Sequence, residues 1–508
     1  ILEHHEDLMP AFLGATWIGA LPAFLPHPNP KTDPDRFLRN VRDLIEHSAA
    51  AAVLTRGPLR DVLTGAAAAA GGDAADGADA VDPAAPKVLT VEEVTAHGLA
   101  GDPAPHDTES VALIQYSSGS TGRQKGAMLS HRAILAEIEG VGGFFRITPD
   151  DTFLTWVPLY HDWGLVCVAL HALAIGTSYT LLSPIDWVRR PVSALEAVSR
   201  YRSTIYYHPN FAFNFTAQRV TDEQLEGLDL SCVRLWCNGA EPCFHESHEM
   251  FRERFAPWGL RPDSLGIVYG MAEVTNSVIA AGDREPIVVD PISRTVLQQE
   301  LRAVPVGDDA PDVMRMLGVG RALEGTEFRI VDDDRRDVPD RVVGEVAIRS
   351  RAAMHGYHNN PEATAACLDA DGWYHTGDMG YRVGEILFVT GRKSDMIIVG
   401  GVNIYPQDIE AIVGEHPHAV AGRVAAIGVD DPDLGTQKVV LIVESKSDDP
   451  EVHKDIAAWA RREVGQRLNV VVHRVVHAPY TWLIKTSSGK IARIPNLKRL
   501  PELEKAER

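Results

Sequence analysis

A loop of hydroxyls, glycines and one lysine covers residues 116–126, which read Tyr-Ser-Ser-Gly-Ser-Thr-Gly-Arg-Gln-Lys-Gly. Glycines let consecutive backbone N–H groups converge on an anion, hydroxyls add further donors, and a lysine adds a positive charge. The spacing differs from that of the Walker loop, Gly-x4-Gly-Lys-Ser/Thr. The stretch predicts a phosphate-binding loop of another kind, formed by Ser117, Ser118, Gly119, Ser120, Thr121, Gly122 and Lys125.

Two more loops with similar chemistry follow downstream. Residues 374–380 read Tyr-His-Thr-Gly-Asp-Met-Gly, and residues 486–490 read Thr-Ser-Ser-Gly-Lys. Taken alone, a Ser/Gly-rich turn with a lysine is more often an ordinary solvated loop, and that alternative applies to each of them. Three such loops in this order favour a site that binds phosphate.

The three loops and the segments between them resemble the adenylate-forming superfamily of acyl-CoA synthetases, fatty acyl-AMP ligases, nonribosomal-peptide adenylation domains and luciferases. The resemblance covers nearly the whole chain. Residues 116–126 resemble the family's phosphate loop, residues 376–378 its ribose segment, and residues 391–395 its interdomain hinge. Its adenine and magnesium segments are matched by residues 238–242 and 269–273.

This resemblance implies ATP-dependent activation of a carboxylic acid, followed by attack of a thiol on the acyl-AMP. Lys490 would be the mobile catalytic lysine that bridges the substrate carboxylate and the α-phosphate, and Glu273 would orient Mg²⁺. Asp378 would accept both ribose hydroxyls, and Arg392 would donate to the same sugar or to the phosphate. The other nucleotide-binding residues that the resemblance implies are Asn238, Gly239, Ala240, Glu241, Tyr269, Gly270, Met271 and Ala272.

The acid-binding side is indicated by residues 157–164, Val-Pro-Leu-Tyr-His-Asp-Trp-Gly, which resemble a stretch of fatty acyl-AMP ligases. In those ligases the histidine lies near the acyl carboxylate and phosphate, so the resemblance makes His161 a pocket residue. A satisfied core histidine is the alternative. The same analogy assigns an acyl pocket to Trp163, Tyr207, Pro209, Asn210, Phe211 and Phe213. Such an aromatic lining implies a hydrophobic acid, although core packing is the alternative for several of these rings.

The thiol acceptor is left open by a mixed resemblance. The middle of the chain resembles acyl-AMP ligases, whereas residues 356–364, 372–378 and 398–404 resemble CoA ligases. Gly400 and Gly401 carry no Cβ, so a pantetheine arm could slide along their backbone into a tunnel. CoA is therefore the expected acceptor, and a stand-alone acyl-AMP ligase that serves an acyl-carrier protein is the alternative.

Two places depart from the family's pattern. Arg123 and Gln124 precede the loop lysine where relatives usually have a residue followed by proline, and Ser394 occupies a hinge position normally held by Asp or Lys. One interpretation is that Gln124 is a harmless loop variant. The alternative is weakened adenylation, which gives a third candidate: a ligase that mainly thioesterifies a supplied acyl-adenylate. A catalytically inactive nucleotide or acyl-adenylate sensor is the alternative from another class, and the presence of the catalytic residues argues against it.

The composition is ordinary for a soluble globular enzyme. The 508 residues are 45% hydrophobic and 23% charged, and such a length indicates about two to four folded units. A formal net charge of −21 argues against nucleic acid or an anionic membrane as a general partner. Five cysteines without a Cys-x-x-Cys pair, together with the lack of a long apolar stretch or secretory signal, favour a cytoplasmic location.

The expected fold class is α/β. Short apolar runs alternate with helical patterns through the middle of the chain, which predicts a mostly parallel, helix-covered sheet. The predicted strands include residues 166–170, 178–182, 204–207 and 233–236. Residues 66–86 are dominated by Ala, Gly and Asp and are predicted to form a surface loop or flexible insertion.

The resemblance also divides the chain at a hinge that includes Lys393 and Ser394. A large nucleotide- and acyl-binding domain, with helix-covered sheets and a small β subdomain, would cover residues 1–391, and its N-terminus is expected to be incomplete. The hinge would cover residues 392–394, and a small mobile α+β domain residues 395–508. This small domain would rotate about the hinge between the two half-reactions.

Overall fold

The computed structural model describes most of the chain, namely residues 1–28, 34–57, 59–70, 86–96, 101–117, 124–283, 286–431, 435–486 and 489–506. Residues 118–123, which hold most of the predicted phosphate loop, lie outside these ranges, as does the side chain of Ser117. Residues 71–85 of the predicted insertion also lie outside them. Residues 66–70 end a helix and do not form the predicted loop, because alanine has the highest intrinsic helix propensity.

Several helices begin at polar side chains that satisfy their first N–H groups. Ser130 Oγ accepts from Ala133 N at 3.1 Å, and Asp449 Oδ1 accepts from Glu451 N at 2.9 Å. In the described ranges, no helix combines the length and the apolar composition that crossing a membrane requires. In chain order the helices are α1 (Leu8–Trp17), α2 (Pro34–Ser48), α3 (Leu59–Ala70), α4 (Val91–Ala96), α5 (His131–Phe144), α6 (His171–Ile175), α7 (Pro184–Arg189), α8 (Val192–Tyr201), α9 (Asn210–Arg219), α10 (Asp222–Leu225), α11 (His245–Phe255), α12 (Arg294–Glu300), α13 (Pro361–Cys367), α14 (Pro406–Gly414), α15 (Pro450–Leu468) and α16 (Arg493–Ala506).

The strands are mostly short, and they pair into one large sheet and several small ones. In chain order the strands are β1 (Ala52–Thr55), β2 (Lys87–Thr90), β3 (Val111–Ser117), β4 (Lys125–Ser130), β5 (Phe153–Thr155), β6 (Tyr179–Leu181), β7 (Ile205–Tyr207), β8 (Leu235–Asn238), β9 (Leu265–Gly270), β10 (Ser277–Gly282), β11 (Val289–Ser293), β12 (Val313–Leu317), β13 (Arg321–Ala322), β14 (Thr326–Val331), β15 (Gly344–Ser350), β16 (Tyr374–Val383), β17 (Ile386–Arg392), β18 (Ile397–Val399), β19 (Val402–Ile404), β20 (Ala419–Asp431), β21 (Thr436–Ser445) and β22 (Val472–Ala478). Strands β3 and β4 pair antiparallel on either side of the predicted phosphate loop.

Seven strands form the central sheet, in the spatial order β13-β10-β9-β8-β7-β5-β6. The pairs from β6 to β9 are parallel, whereas β10 and β13 join antiparallel at one edge. One hydrophobic core contains Phe153 and Tyr207, and another contains Trp236 and Phe213. A parallel sheet with cores of this kind is typical of α/β folds. The predicted α/β fold class is thereby confirmed.

One predicted strand is wrong. Residues 166–170 belong to a π-helix, Trp163–Leu170, in which nearly every residue is buried. A short apolar run that is buried on all sides carries no periodicity that separates a strand from a helix. The other three predicted strands overlap β6, β7 and β8.

The part of the chain after the central sheet carries two further layers that matter for the site. Strands β14, β15, β16 and β17 form an antiparallel sheet that contains the predicted ribose segment and ends at the predicted hinge. Beyond the hinge, β20, β21 and β22 form a sheet against which α14 and α15 pack through Ile409, Val443 and Ile456. Helix α16 begins just after the loop that carries Lys490.

Candidate active site

Asp378 is a buried carboxylate in the predicted ribose segment. It faces Arg392 across the β16–β17 ladder, and Arg392 Nε donates to Asp378 Oδ1 at 2.8 Å. Tyr269 Oη, near the end of β9, donates to the other oxygen, Oδ2, at 2.9 Å. The charge of Asp378 raises the pKa of Arg392 above its ordinary value, which keeps the guanidinium protonated. The structure thus brings together three predicted nucleotide-binding residues from separate segments.

Thr376 holds the ribose segment against its neighbouring strand. Its Oγ1 donates to Val346 O at 2.8 Å and accepts from Asp378 N at 3.0 Å. Gly377 N donates to Glu345 Oε1 at 3.0 Å. Because both partners lie on β15, the position of the Asp378 carboxylate is fixed by the sheet and does not depend on a free loop.

Glu273 lies in a short 3-10 turn, Ala272–Val274, that follows β9. Tyr357 Oη donates to Glu273 Oε1 at 2.7 Å, and Lys125 Nζ lies 5.0 Å from the centroid of the Tyr357 ring. Burial, followed by the Glu273 charge, raises the pKa of Tyr357, so its hydroxyl stays a donor. The lysine of the phosphate loop and the predicted magnesium ligand therefore share one aromatic neighbour.

The surroundings of Glu273 fit one kind of metal site. Mg²⁺ is usually held by one or two carboxylates together with substrate phosphate oxygens. Among the residues that the structure describes, no group of three or more His, Cys, Asp or Glu side chains is arranged to hold a metal ion. A single carboxylate with one oxygen bonded to Tyr357 fits a Mg²⁺ held mainly by phosphate, and it does not fit a metal centre made of protein alone.

His161 and Asp162 form a pair where the π-helix begins. His161 Nδ1 lies 2.5 Å from Asp162 Oδ1, and Trp163 N donates to the same oxygen at 2.7 Å. Burial alone would raise the pKa of Asp162. The His161 ring, the Trp163 N–H group and the charge of Lys490 outweigh burial and lower this pKa, so the carboxylate is ionised.

Lys490 sits in a tight loop just before α16. Thr486 N donates to Lys490 O at 2.8 Å, and Lys490 N donates to Thr486 Oγ1 at 3.1 Å. The side chain keeps access to solvent, yet desolvation by the surrounding protein, followed by a neighbouring positive charge, lowers its pKa. The charged groups within its electrostatic reach are Arg392, Glu241, Asp378 and Asp162. Charges of the predicted ribose segment and of Asp162, next to His161, therefore both act on Lys490.

The predicted adenine segment begins at the end of β8 with a fully buried Asn238. Its Nδ2 donates to Asn210 Oδ1 at 3.0 Å and lies 2.8 Å from His248 Nε2. Glu241 Oε1 accepts a hydrogen bond from Phe211 N at the start of α9. Asn210, predicted for the acyl pocket, therefore serves as a buried support of the adenine segment. Gly239 and Ala240 lie between these two anchored residues, and Gly270, Met271 and Ala272 lead from β9 into the 3-10 turn.

The residues predicted to line an acyl pocket do not form one group. Trp163 and Tyr207 are buried in the same core with ring centroids 5.6 Å apart. Phe213 belongs to the other core, where its ring stacks on His208. Phe211 is 40% exposed, because residues two apart on α9 point in different directions. The two remaining residues, at the N-terminal end of α9, are Pro209 and Asn210.

Gly400 and Gly401 form the tight turn between β18 and β19. Their φ angles are 58° and 83°, values that two-residue hairpin turns require and that glycine adopts without strain. A Cβ at either position would meet no other atom within 4 Å. Glycine at this turn therefore has a conformational reason in addition to the predicted passage of a pantetheine arm.

The predicted hinge residues make polar contacts on both sides. Lys393 N donates to Gly377 O at 2.9 Å, and Lys393 Nζ lies 2.6 Å from Asp333 Oδ1. Ser394 Oγ donates to Asp395 Oδ1 at 3.2 Å. Lys393 is thus attached to the sheet that precedes the predicted hinge, whereas the Ser394 hydroxyl bonds only its neighbour among the described residues.

Sequence reasoning missed Tyr357 and Arg493. Arg493 Nη1 donates to Asp395 Oδ2 at 2.6 Å, and its Nε and Nη2 donate to Glu410 at 2.9 and 2.6 Å. For Arg493, the one indication in the sequence was its position three residues after Lys490. Tyr357 lies in the stretch 356–364 that resembles CoA ligases, but the sequence does not indicate its contact with Glu273, which lies 84 residues away.

Comparisons with protein families, with protein sequences and with solved structures all find proteins similar to this chain. The family described as AMP-binding enzyme matches residues 2–358. The medium-chain-fatty-acid acyl-carrier-protein ligase JamA of Moorena producens is 33% identical, over 76% of this chain and 67% of its own. A protein of Caulobacter vibrioides provisionally named an acyl-CoA synthetase is 28% identical, over 97% of this chain and 84% of its own. A solved structure from work on the fatty acyl-adenylate ligases of E. coli and L. pneumophila has a TM-score of 0.89 at 28% identity, covering 99% of this chain and 88% of that one.

Proposed function

Because the chain belongs to the AMP-binding enzyme family of adenylate-forming acyl ligases, we propose that it activates a hydrophobic carboxylic acid through acyl-AMP and transfers the acyl group to CoA. The position of Lys490 carries this proposal. Its charge interacts with Asp378 and Arg392 of the ribose segment and with Asp162 beside His161. These surrounding charges support a role in which one lysine contacts both the nucleotide and the acid.

The proposed chemistry brings two anions together, the substrate carboxylate and the triphosphate of ATP. Lys490 would lie between the carboxylate and the α-phosphate, and Lys125 would hold the outer phosphates. Asp378 would accept the ribose hydroxyls, while His161 would face the acid. Positioned cations stabilise the charge that develops on the transferring phosphoryl group. A bound Mg²⁺, with Glu273 as its protein ligand, would neutralise further phosphate charge.

The acceptor is proposed from the C-terminal part of the chain. The resemblance of residues 398–404 to CoA ligases supports CoA, and the open space around the Gly400–Gly401 turn is compatible with a pantetheine arm. The likeness to the provisionally named acyl-CoA synthetase also extends over nearly the whole chain. An acyl-carrier protein is the second candidate, because JamA is the relative with the higher identity of the two.

The ligase with impaired adenylation and the inactive sensor are less well supported than the two-step ligase. Arg123 lies outside the described residues, and Gln124, the next residue, is half-buried. If this pair weakens adenylation, Gln124→Pro should speed pyrophosphate release, whereas an unchanged rate favours an ordinary two-step ligase. The mutual influence of the charges of Asp378, Arg392 and Lys490 supports a catalytic site over an inactive sensor.

One experiment tests the whole proposal. The protein is incubated with ATP, Mg²⁺ and a panel of hydrophobic acids, with CoA or a phosphopantetheinylated carrier protein, and acyl-AMP and thioester are measured separately by mass spectrometry. We expect acyl-AMP from at least one acid and acyl-CoA when CoA is added. Thioester on the carrier protein alone would replace CoA with the second candidate. Absence of acyl-AMP from every acid would contradict the proposed activity.

A further inference from the structure

Tyr357 touches two residues of the candidate site that are far apart in the sequence. Its hydroxyl donates to Glu273 Oε1 at 2.7 Å, and the Nζ atom of Lys125 lies over its ring, 5.0 Å from the centroid. One side chain therefore contacts the predicted magnesium ligand through its hydroxyl and the predicted phosphate-loop lysine through its face. The chemistry proposed above gives this tyrosine no role.

The backbone of Tyr357 is fixed by its neighbours. Tyr357 is the antiparallel bridge partner of Ala127 in β4, the strand that begins with the loop lysine. Its N–H group donates to Thr364 Oγ1 of α13 at 2.9 Å. Three residues earlier, Met354 N donates to the backbone oxygen of Glu273, also at 2.9 Å. The ring is thus held in one place relative to both of its charged partners.

The hydroxyl end of Tyr357 sets the orientation of the Glu273 carboxylate. Both side chains are buried, with 5% and 8% of their surface exposed. Because burial raises the pKa of Tyr357, the phenol keeps its proton and donates it to the carboxylate. A hydrogen bond to Oε1 restricts rotation of the carboxylate and so fixes the direction of Oε2. Carboxylates that bind metal ions are commonly oriented by such a second hydrogen bond.

The ring face of Tyr357 gives Lys125 a neutral neighbour. A cation within about 6 Å of an aromatic centroid is attracted by the negative face of the ring. An ion pair with a carboxylate would offset the lysine charge, whereas the ring places the amine and leaves its charge in full. That charge is the property that a phosphate-binding lysine needs.

We propose, on the basis of the acyl-activating function above, that Tyr357 is a positioning residue that couples Glu273 to Lys125 at the triphosphate of ATP. Its hydroxyl orients Glu273 toward the Mg²⁺ that accompanies ATP, and its ring face positions Lys125 for the outer phosphates. The two positive groups then meet one triphosphate from fixed places. A tyrosine that only filled the core would need neither contact.

Two substitutions separate the two contacts. Tyr357→Phe keeps the ring and removes the hydroxyl, whereas Tyr357→Leu removes both. ATP is titrated calorimetrically into each protein without any acid, once with Mg²⁺ and once with EDTA. We expect Tyr357→Phe to bind ATP about tenfold more weakly than wild type with Mg²⁺ and equally well with EDTA, because it loses one hydrogen bond to a charged group. Tyr357→Leu should also bind ATP about threefold more weakly with EDTA, because it loses the cation–ring contact.

Tyr381→Phe is the matched control. Tyr381 is a fully buried tyrosine whose hydroxyl donates to Asp290 Oδ2 at 2.9 Å, and it lies in a different hydrophobic core from Tyr357. Its loss should lower the free energy of unfolding in urea and leave ATP binding unchanged with Mg²⁺ and with EDTA. If Tyr357→Phe behaves in the same way, Tyr357 has a structural role only and the inference is overturned.

A double variant connects the effect of the hydroxyl to Glu273. If the hydroxyl acts through Glu273, adding Tyr357→Phe to Glu273→Gln should weaken ATP binding with Mg²⁺ no further than Glu273→Gln alone does. Fully additive losses would show that the two side chains act independently and would contradict the coupling.

Binding measured without acid also separates this inference from the proposed function. If the wild-type protein forms no acyl-AMP from any acid but Tyr357→Phe shows the Mg²⁺-dependent loss, the proposed function is contradicted and the role of Tyr357 is supported. If acyl-AMP forms and Tyr357→Phe binds ATP as wild type does with Mg²⁺, the proposed function is upheld and the role of Tyr357 is overturned.

Discussion

Arg392 and Asp378 face each other across the β16–β17 ladder, with Arg392 Nε 2.8 Å from Asp378 Oδ1. Tyr269 occupies the other oxygen of the same carboxylate. An ionised carboxylate has about four lone-pair sites, so each oxygen keeps room for one more donor. The two protein donors therefore orient Asp378 and leave it able to accept both hydroxyls of a ribose.

Asp378→Asn should weaken ATP binding without unfolding the protein. The amide cannot accept from Arg392, Tyr269 and two hydroxyls together, because one of its ends is a donor. Hydrogen bonds to charged groups contribute about 1.5–3 kcal/mol, so we expect KM for ATP to rise about 10- to 100-fold. Pyrophosphate release at varied ATP measures the change. Glu327→Gln, which removes an exposed ion pair with Arg349, is the control, and an equal effect there would contradict the assignment.

Adenylation should fall at alkaline pH through Lys490. Desolvation, followed by the Arg392 charge, lowers the pKa of Lys490, so its ammonium loses the proton at a lower pH than a free lysine does. The positive charge is present below this lowered pKa and is lost as the pH rises through it. Pyrophosphate release measured from pH 6 to about 10.5 should therefore decline before the ordinary lysine range.

Substitutions at Lys490 test the same group. Lys490→Ala should reduce adenylation about 10²- to 10³-fold, as loss of a transition-state donor typically does. Lys490→Arg should be slower than wild type but should move the alkaline decline upward, because a guanidinium stays charged. Lys454→Ala, an exposed lysine paired with Glu451, should change neither. An alkaline decline that is identical in Lys490→Arg would assign it to another group.

Gly401→Leu should separate the two half-reactions. The added side chain would fill open space at the β18–β19 turn, where the pantetheine arm is proposed to pass. We expect the acyl-CoA rate to fall at least about tenfold while pyrophosphate release is kept. Gly384→Leu is a matched control, because Gly384 also has a positive φ, 59°, and open surroundings. A normal acyl-CoA rate in Gly401→Leu would favour the carrier-protein alternative.

Ser394→Pro should restrict rotation of the small domain. Proline fixes φ near −65°, so one orientation of the residues beyond the hinge would be retained and the other lost. Measured separately, one half-reaction should slow far more than the other. Ser394→Ala removes the hydroxyl that donates to Asp395 without restricting the backbone, and it should leave the balance of the two rates unchanged. Equal slowing of both half-reactions in Ser394→Pro would contradict domain rotation.

Much of the fold could be predicted from local pattern. Strands β6, β7 and β8 overlap three of the four apolar runs that were predicted to be strands. The π-helix Trp163–Leu170 could not be predicted, because its residues are apolar on every side and no face is marked. The end of α3 was wrongly predicted as a loop because the Ala-rich composition was taken to indicate a flexible insertion, although alanine favours a helix.

The arrangement of the candidate site was harder to predict from the sequence than the fold. The loops that carry Asp378 and Lys490 were identified from their motifs, but no spacing indicates that their charges interact. The acyl pocket was the weakest prediction, since the position of Phe211 and Phe213 on different sides of α9 depends on how that helix packs. The partners of Glu273 and Asp162 likewise follow from tertiary structure alone.

Arg493 connects two segments of the predicted mobile domain. Arg493 lies at the start of α16, immediately after the loop that carries Lys490. Its guanidinium donates to Asp395, the first residue after the predicted hinge, and also to Glu410. Three charge-assisted hydrogen bonds in a largely buried setting hold these residues firmly in place relative to one another. The predicted rotation about Ser394 would therefore move Asp395 and the start of α16 together, as one rigid unit.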